Sequence, residues 1–151
     1  MQLDQRMRFS IWVTTLALAI AGCTGQDAAQ RDPGSLANLP RHVEVYTAGF
    51  RNISEKYIRP LTVGDIAFGG LEGLTSIDPA LVAERRDDHV RLLLSGQEIA
   101  SAKAPDAMDA RGWGTVTANF EQAARRQSSL LNSAGDEKIY EAVFDGVLAD
   151  L

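Results

Sequence analysis

Cysteine is nearly absent from this 151-residue chain. Cys23 stands alone, so no disulfide can close within it and no cysteine set can hold a metal. Histidine is almost as scarce, with only His42 and His89. No Cys/His/Asp spacing has the form of a metal site, and no cofactor is expected. Basic residues are too few and too scattered for a nucleic-acid partner. Lys and Arg number 15 against 20 Asp and Glu, a net charge of -5, with no basic cluster to meet phosphates. A Gly-x-Ser-x-Gly nucleophile elbow is missing. The glycines of "GDIAFGGLEG" have no strand before them and no Lys after them, which argues against a phosphate loop. A long apolar run is missing too. The clearest one, Ile11 to Ala21, has eleven residues, whereas crossing a bilayer as a helix takes about 20.

The remaining chemistry-bearing residues give no catalytic set. A nucleophile needs a neighbouring base that is itself oriented. His42 precedes a helix and His89 sits in the charged run Asp87-Asp88-His89, which reads as turn chemistry. Both histidines are expected at the solvated surface. Ser101 and Lys103 are two apart and would share a face of a strand, but nothing near them supplies an oxyanion hole. No residue is therefore assigned a catalytic role.

What is present is most telling at the N-terminus. In "MQLDQRMRFSIWVTTLALAIAGCTG", Arg6 and Arg8 precede the eleven-residue apolar run, and small residues lead to Cys23. That is the plan of an export signal, whether initiation is at Met1 or Met7. "IAGC", Ile20 to Cys23, resembles the bacterial lipobox. The resemblance implies that the Cys23 thiol takes a diacylglyceryl group, that cleavage falls before it, and that the new amine is acylated. Several acyl chains, at about 0.8 kcal/mol per buried methylene, give durable anchoring. An ordinary signal peptide with a coincidental Cys is the other reading. The expected divisions are residues 1–22 as lipoprotein signal, 23–40 as a flexible tether and 41–151 as a small folded domain. Asp4, Arg6 and Arg8 leave with the signal, a net +1, so the anchored chain would carry about -6.

From Arg41 the apolar spacing becomes helical. Val43, Tyr46, Phe50, Ile53 and Tyr57 share one face, and Pro60 ends that helix. Thr62 is a candidate N-cap with Asp65 three residues on, close to a capping box. Val63, Ile66, Ala67, Gly70, Leu71, Leu74 and Ile77 line a second helix, stopped by Asp78-Pro79. Gly69, Gly70 and Gly73 each weaken it by roughly 1 kcal/mol relative to Ala, so their presence points to another backbone close by. "LVAERRDDHVRLLLSGQEIASAKAP" carries turn signals at Arg86–His89 and Ser95–Gln97, which fits a three-stranded antiparallel meander. One long amphipathic helix is the alternative. Trp113, Val116, Phe120, Ala123 and Ala124 mark another helix. A last one carries Ile139, Tyr140, Val143, Phe144, Val147, Leu148 and Leu151. The predicted class is α+β, mainly helical, with about four helices and a small meander.

The chain also echoes itself. Shifted by 73 residues, "LEGLTSID" lies over "FDGVLADL", with Gly73 on Gly146, Glu72 on Asp145 and Leu74 on Val147. The structural expectation is two similar helices packed together. "VYTAGFRNISEKYIRPLTVGDIAFGGLEGLTSIDP" resembles the start of the C-terminal processing (tail-specific) serine peptidases. In that family an early helix has a Tyr-containing exit, here "EKYIRP". A following helix carries a Gly-Leu pair and ends in Leu-Asp-Pro, here Ile77-Asp78-Pro79. "IYEAVFDGVLADL" is similar to a second copy of that helix. The resemblance covers roughly residues 42–79 and 136–151. Ala80-Leu81 follow Asp-Pro here, where the family has a polar pair such as His-Ser.

The resemblance implies a PDZ domain and a Ser-Lys catalytic core that these residues do not include. It also implies that the chain is the front part of a longer protein. The expected function is therefore the lipid-anchored N-terminal region of a periplasmic peptidase, serving anchoring, assembly or substrate positioning. The alternative is a self-standing envelope lipoprotein that binds proteins. Its expected partners are the membrane, through lipid on Cys23, and another protein or a second copy, through apolar helix faces.

Overall fold

A computed structural model describes residues 36–57 and 61–149. The chain divides into two units, Met1–Gln30 and Arg31–Leu151, and the described residues belong to the second. A short 3-10 turn, Leu36–Asn38, leads into α1 (Leu39–Lys56), α2 (Val63–Gly73) and a second 3-10 turn, Leu74–Ser76. The strands β1 (Leu81–Arg86), β2 (His89–Leu94) and β3 (Gln97–Lys103) follow, then α3 (Ala110–Gln127), α4 (Ser129–Ser133) and α5 (Asp136–Ala149). The class is α+β and mainly helical, as the periodicity predicts.

Local chemistry accounts for most boundaries. Helix α1 begins at Leu39, two residues inside the stretch expected to be tether. Pro40 sits in its first turn, where no amide hydrogen is needed. Pro60, expected to end α1, lies outside the described residues. Thr62 caps α2 as expected. Its hydroxyl accepts from the Asp65 amide at 3.1 Å and donates to the Asp65 carboxylate at 2.6 Å. The second helix is shorter than its apolar stripe suggests. The α-helix stops at Gly73, and Leu74 to Ser76 tighten into 3-10 geometry. Helix α4 was not foreseen. Ser128 caps it by accepting from the Leu131 amide at 3.2 Å, and Leu131 is buried beneath it.

The strands run antiparallel in the order β1-β2-β3, so the meander is the correct alternative and the single long helix is not formed. Both hairpin turns need left-handed backbone, supplied by Asp87 (φ 54) in the first and by Ser95 (φ 51) and Gly96 (φ 80) in the second. Leu81, Ala83, Val90 and Leu92 make the inner face of the sheet. β1 is an edge strand, and Arg85 blunts it. Its side chain turns back toward the helices, where it donates to the Gly64 carbonyl at 2.8 Å and to Asp65 at 3.1 Å. Its guanidinium lies 4.8 Å from the Phe68 ring centroid and 5.7 Å from that of Trp113. A charge anchored at an edge discourages a foreign strand from pairing there.

Helices α1 and α3 pack antiparallel. The α1 aromatics Tyr46 and Phe50 meet Tyr140 and Phe144 of α5. The same core takes in Ile66, Leu71, Leu74, Trp113, Phe120, Ile139 and Val143. Helices α2 and α5 cross where the repeated motif places its glycines. A Cβ on Gly146 would lie 2.5 Å from the Gly69 carbonyl oxygen and 2.5 Å from the Gly73 Cα, and a Cβ on Gly73 would overlap the Ala142 carbonyl. The two copies of the echo are thus packed on each other, backbone against backbone.

Candidate functional site

The densest cluster of ionisable side chains lies inside the helical layer, where α1, α3 and the start of α5 meet. Its centre is Glu121, on the buried face of α3 and only 1 % exposed. Helix α1 contributes His42 and Tyr46, one turn apart. The Tyr46 hydroxyl donates to Glu121 Oε2 at 2.6 Å. His42 Nδ1 is 2.9 Å from the same oxygen. An ionised carboxylate only accepts hydrogen bonds, so Nδ1 carries the hydrogen. Arg125, one turn beyond Glu121 and also 1 % exposed, donates from Nε to Glu121 Oε1 at 2.8 Å. Its other nitrogens reach the Ala134 carbonyl at 2.9 Å and Asp136 Oδ1 at 2.8 Å. His42 Nε2 lies 3.9 Å from Asp136 Oδ2.

The electrostatics follow from this geometry. Burial pushes the Glu121 carboxyl up, but hydrogen bonds from His42 and Tyr46 and the proximity of His42 and Arg125 outweigh it. The group is held below its ordinary value. Burial pushes the Tyr46 hydroxyl well up, and the facing Glu121 charge adds to that. Tyr140, whose ring lies 5.3 Å from that of His42, is pushed up to about 12, first by burial and then by the charges of Glu121 and Asp136. Both tyrosines are therefore neutral at physiological pH; Tyr46 donates to Glu121, while the buried Tyr140 hydroxyl has no hydrogen-bond partner among the described residues.

A second buried joint involves the Ile77-Asp78-Pro79 ending. Asp78 Oδ1 accepts from the Ala80 amide at 3.0 Å, turning the chain into β1. Its Oδ2 accepts from the Ser128 hydroxyl at 2.6 Å, which fixes the start of α4. In both joints the carboxylates are taken up by neighbouring donors, although the Tyr140 hydroxyl beside His42 is left without a hydrogen-bond partner among the described residues. Glu121 accepts from three donors on two helices, and Arg125 reaches three acceptors. Such arrangements hold elements in register.

His42 is a correction, because it is 3 % exposed inside α1 and not at the solvated surface. It lies on the same helical face as Tyr46 and Phe50, and Glu121 compensates its burial. His89 is exposed as expected, with Nδ1 at 2.7 Å from Asp88. Ser101 and Lys103 are exposed on β3, and the Lys103 amine is 3.8 Å from Asp88. Cys23, the lipidation candidate, lies outside the described residues. Sequence reasoning passed over Glu121, Arg125 and Asp136. The signal for two of them was their i, i+4 spacing directly beside the apolar positions Phe120 and Ala124. Among the described residues no group of three or more His, Cys, Asp or Glu side chains is placed to hold a metal ion. Among those residues, too, no helix is long and apolar enough to cross a membrane.

No protein-family model, curated protein or solved structure matches this chain.

Proposed function

We propose that this chain is a lipid-anchored, non-catalytic module of the bacterial cell envelope. It forms the N-terminal region of a C-terminal processing serine peptidase and anchors, assembles or positions that enzyme on the periplasmic side. The observation that carries this reading is the build of the segments that resemble the family. The Gly-Leu helix and its echo, α2 and α5, are interlocked at Gly73 and Gly146, and the Asp78 of the Asp-Pro ending is a buried joint. Residues that bear the resemblance thus serve as scaffold. The most chemically capable cluster, around Glu121, ties helices together and leaves no open face for a substrate.

One feature favours the alternative, a self-standing protein-binding lipoprotein. Ile53 of α1, Tyr57 just past its end and Leu148 of α5 line a shallow depression of about 300 Å³, and Leu148 is 58 % exposed. Apolar side chains left open together mark interaction surfaces.

Expression of the full chain with a clickable fatty acid tests the anchor. Label is expected on the wild type and absent from Cys23→Ser, which should also leave the membrane fraction. Label retained by the variant would sink the lipid-anchor reading. The mass of the native membrane species, detected with an antibody to residues 104–126, separates the two functions. A species several times heavier than 16.3 kDa supports the peptidase, and one near the acylated mass of residues 23–151 supports the self-standing lipoprotein.

A further inference from the structure

We draw no further inference here: the strongest candidate, the groove of about 440 Å³ between α2 and α5 whose floor of Gly69, Gly73, Ala142 and Gly146 is flanked by Glu72 and Asp145, is a stripe of small residues with acidic side chains beside it, and nothing in the structure shows what covers it.

Discussion

Glu121 holds three donors inside a helical core, so its removal should be felt twice. Arg125 loses a buried counter-charge, and His42 and Tyr46 lose their acceptor. Breaking a buried ion pair from one side typically costs 3–5 kcal/mol. Asp136 still partners Arg125, so the expected loss for Glu121→Ala is the lower end, about 3 kcal/mol, in urea unfolding of residues 24–151 at pH 7. The pH dependence has a definite sign. The folded-state carboxyl is held below its ordinary value, so its contribution is complete above the unfolded glutamate value, about 4.3. It is lost as the pH falls through the folded value. The gap between wild type and Glu121→Gln should therefore narrow as the pH is lowered from 5 toward 3, and a constant gap would contradict the assignment. The tyrosines behave in the opposite sense. Their folded-state values lie above the ordinary 10.0, at about 12 for Tyr140. Stability is unaffected by them below pH 10 and falls as the pH rises beyond it, because the unfolded chain ionises first. Tyrosinate absorbance at 295 nm should rise together with unfolding for Tyr46 and Tyr140.

At the scale of elements, the α2–α5 crossing sets the most stringent requirement. Alanine favours a helix over glycine by about 1 kcal/mol, so propensity alone predicts that Gly146→Ala stabilises α5. The added methyl would meet the Gly69 carbonyl and the Gly73 Cα, both backbone atoms that cannot rotate away. Overpacking typically costs 1–3 kcal/mol, and at a backbone contact the clash outweighs the propensity. Net destabilisation of about 1–2 kcal/mol is expected for Gly146→Ala by thermal or urea unfolding. Gly135→Ala, at an exposed position with no atom within 4 Å of the new methyl, should stay within about 0.5 kcal/mol. Equal effects at the two sites would mean that the helices do not cross there. This crossing was partly legible beforehand. The 73-residue echo and the glycine-rich helix pointed to two similar helices in close approach, because glycine inside a helix is costly unless something needs the space. The hairpins were legible for the same kind of reason, since Asp87-Asp88 and Ser95-Gly96 favour left-handed backbone. Helix α4 was not, because five residues are too few to show a helical period.

For the whole molecule, one core joins all five described helices to the sheet. Helices α1 and α3 share the Glu121 network, α5 enters it through Asp136, and β1 is tied to α4 through Asp78 and Ser128. A single cooperative transition is therefore expected. Trp113 is the only tryptophan in residues 24–151 and is buried against α2. Its fluorescence and the helical circular dichroism signal should trace the same unfolding curve, and separate curves would show that the helices melt piecemeal. The sequence by itself determined the class, the two hairpin turns, the Thr62 cap and the stripes that become the core. Each of these is written in neighbours a few residues apart, where backbone preference and side-chain period act directly. Only the tertiary structure decided that His42 is buried, that Glu121 and Arg125 face inward, and that the Asp78 motif serves as a joint. A charged side chain is read as solvated until a partner compensates its burial, and here that partner is 79 residues away for His42 and 50 residues away for Asp78. No local pattern encodes such a pairing, because the gain exists only once the helices have come together.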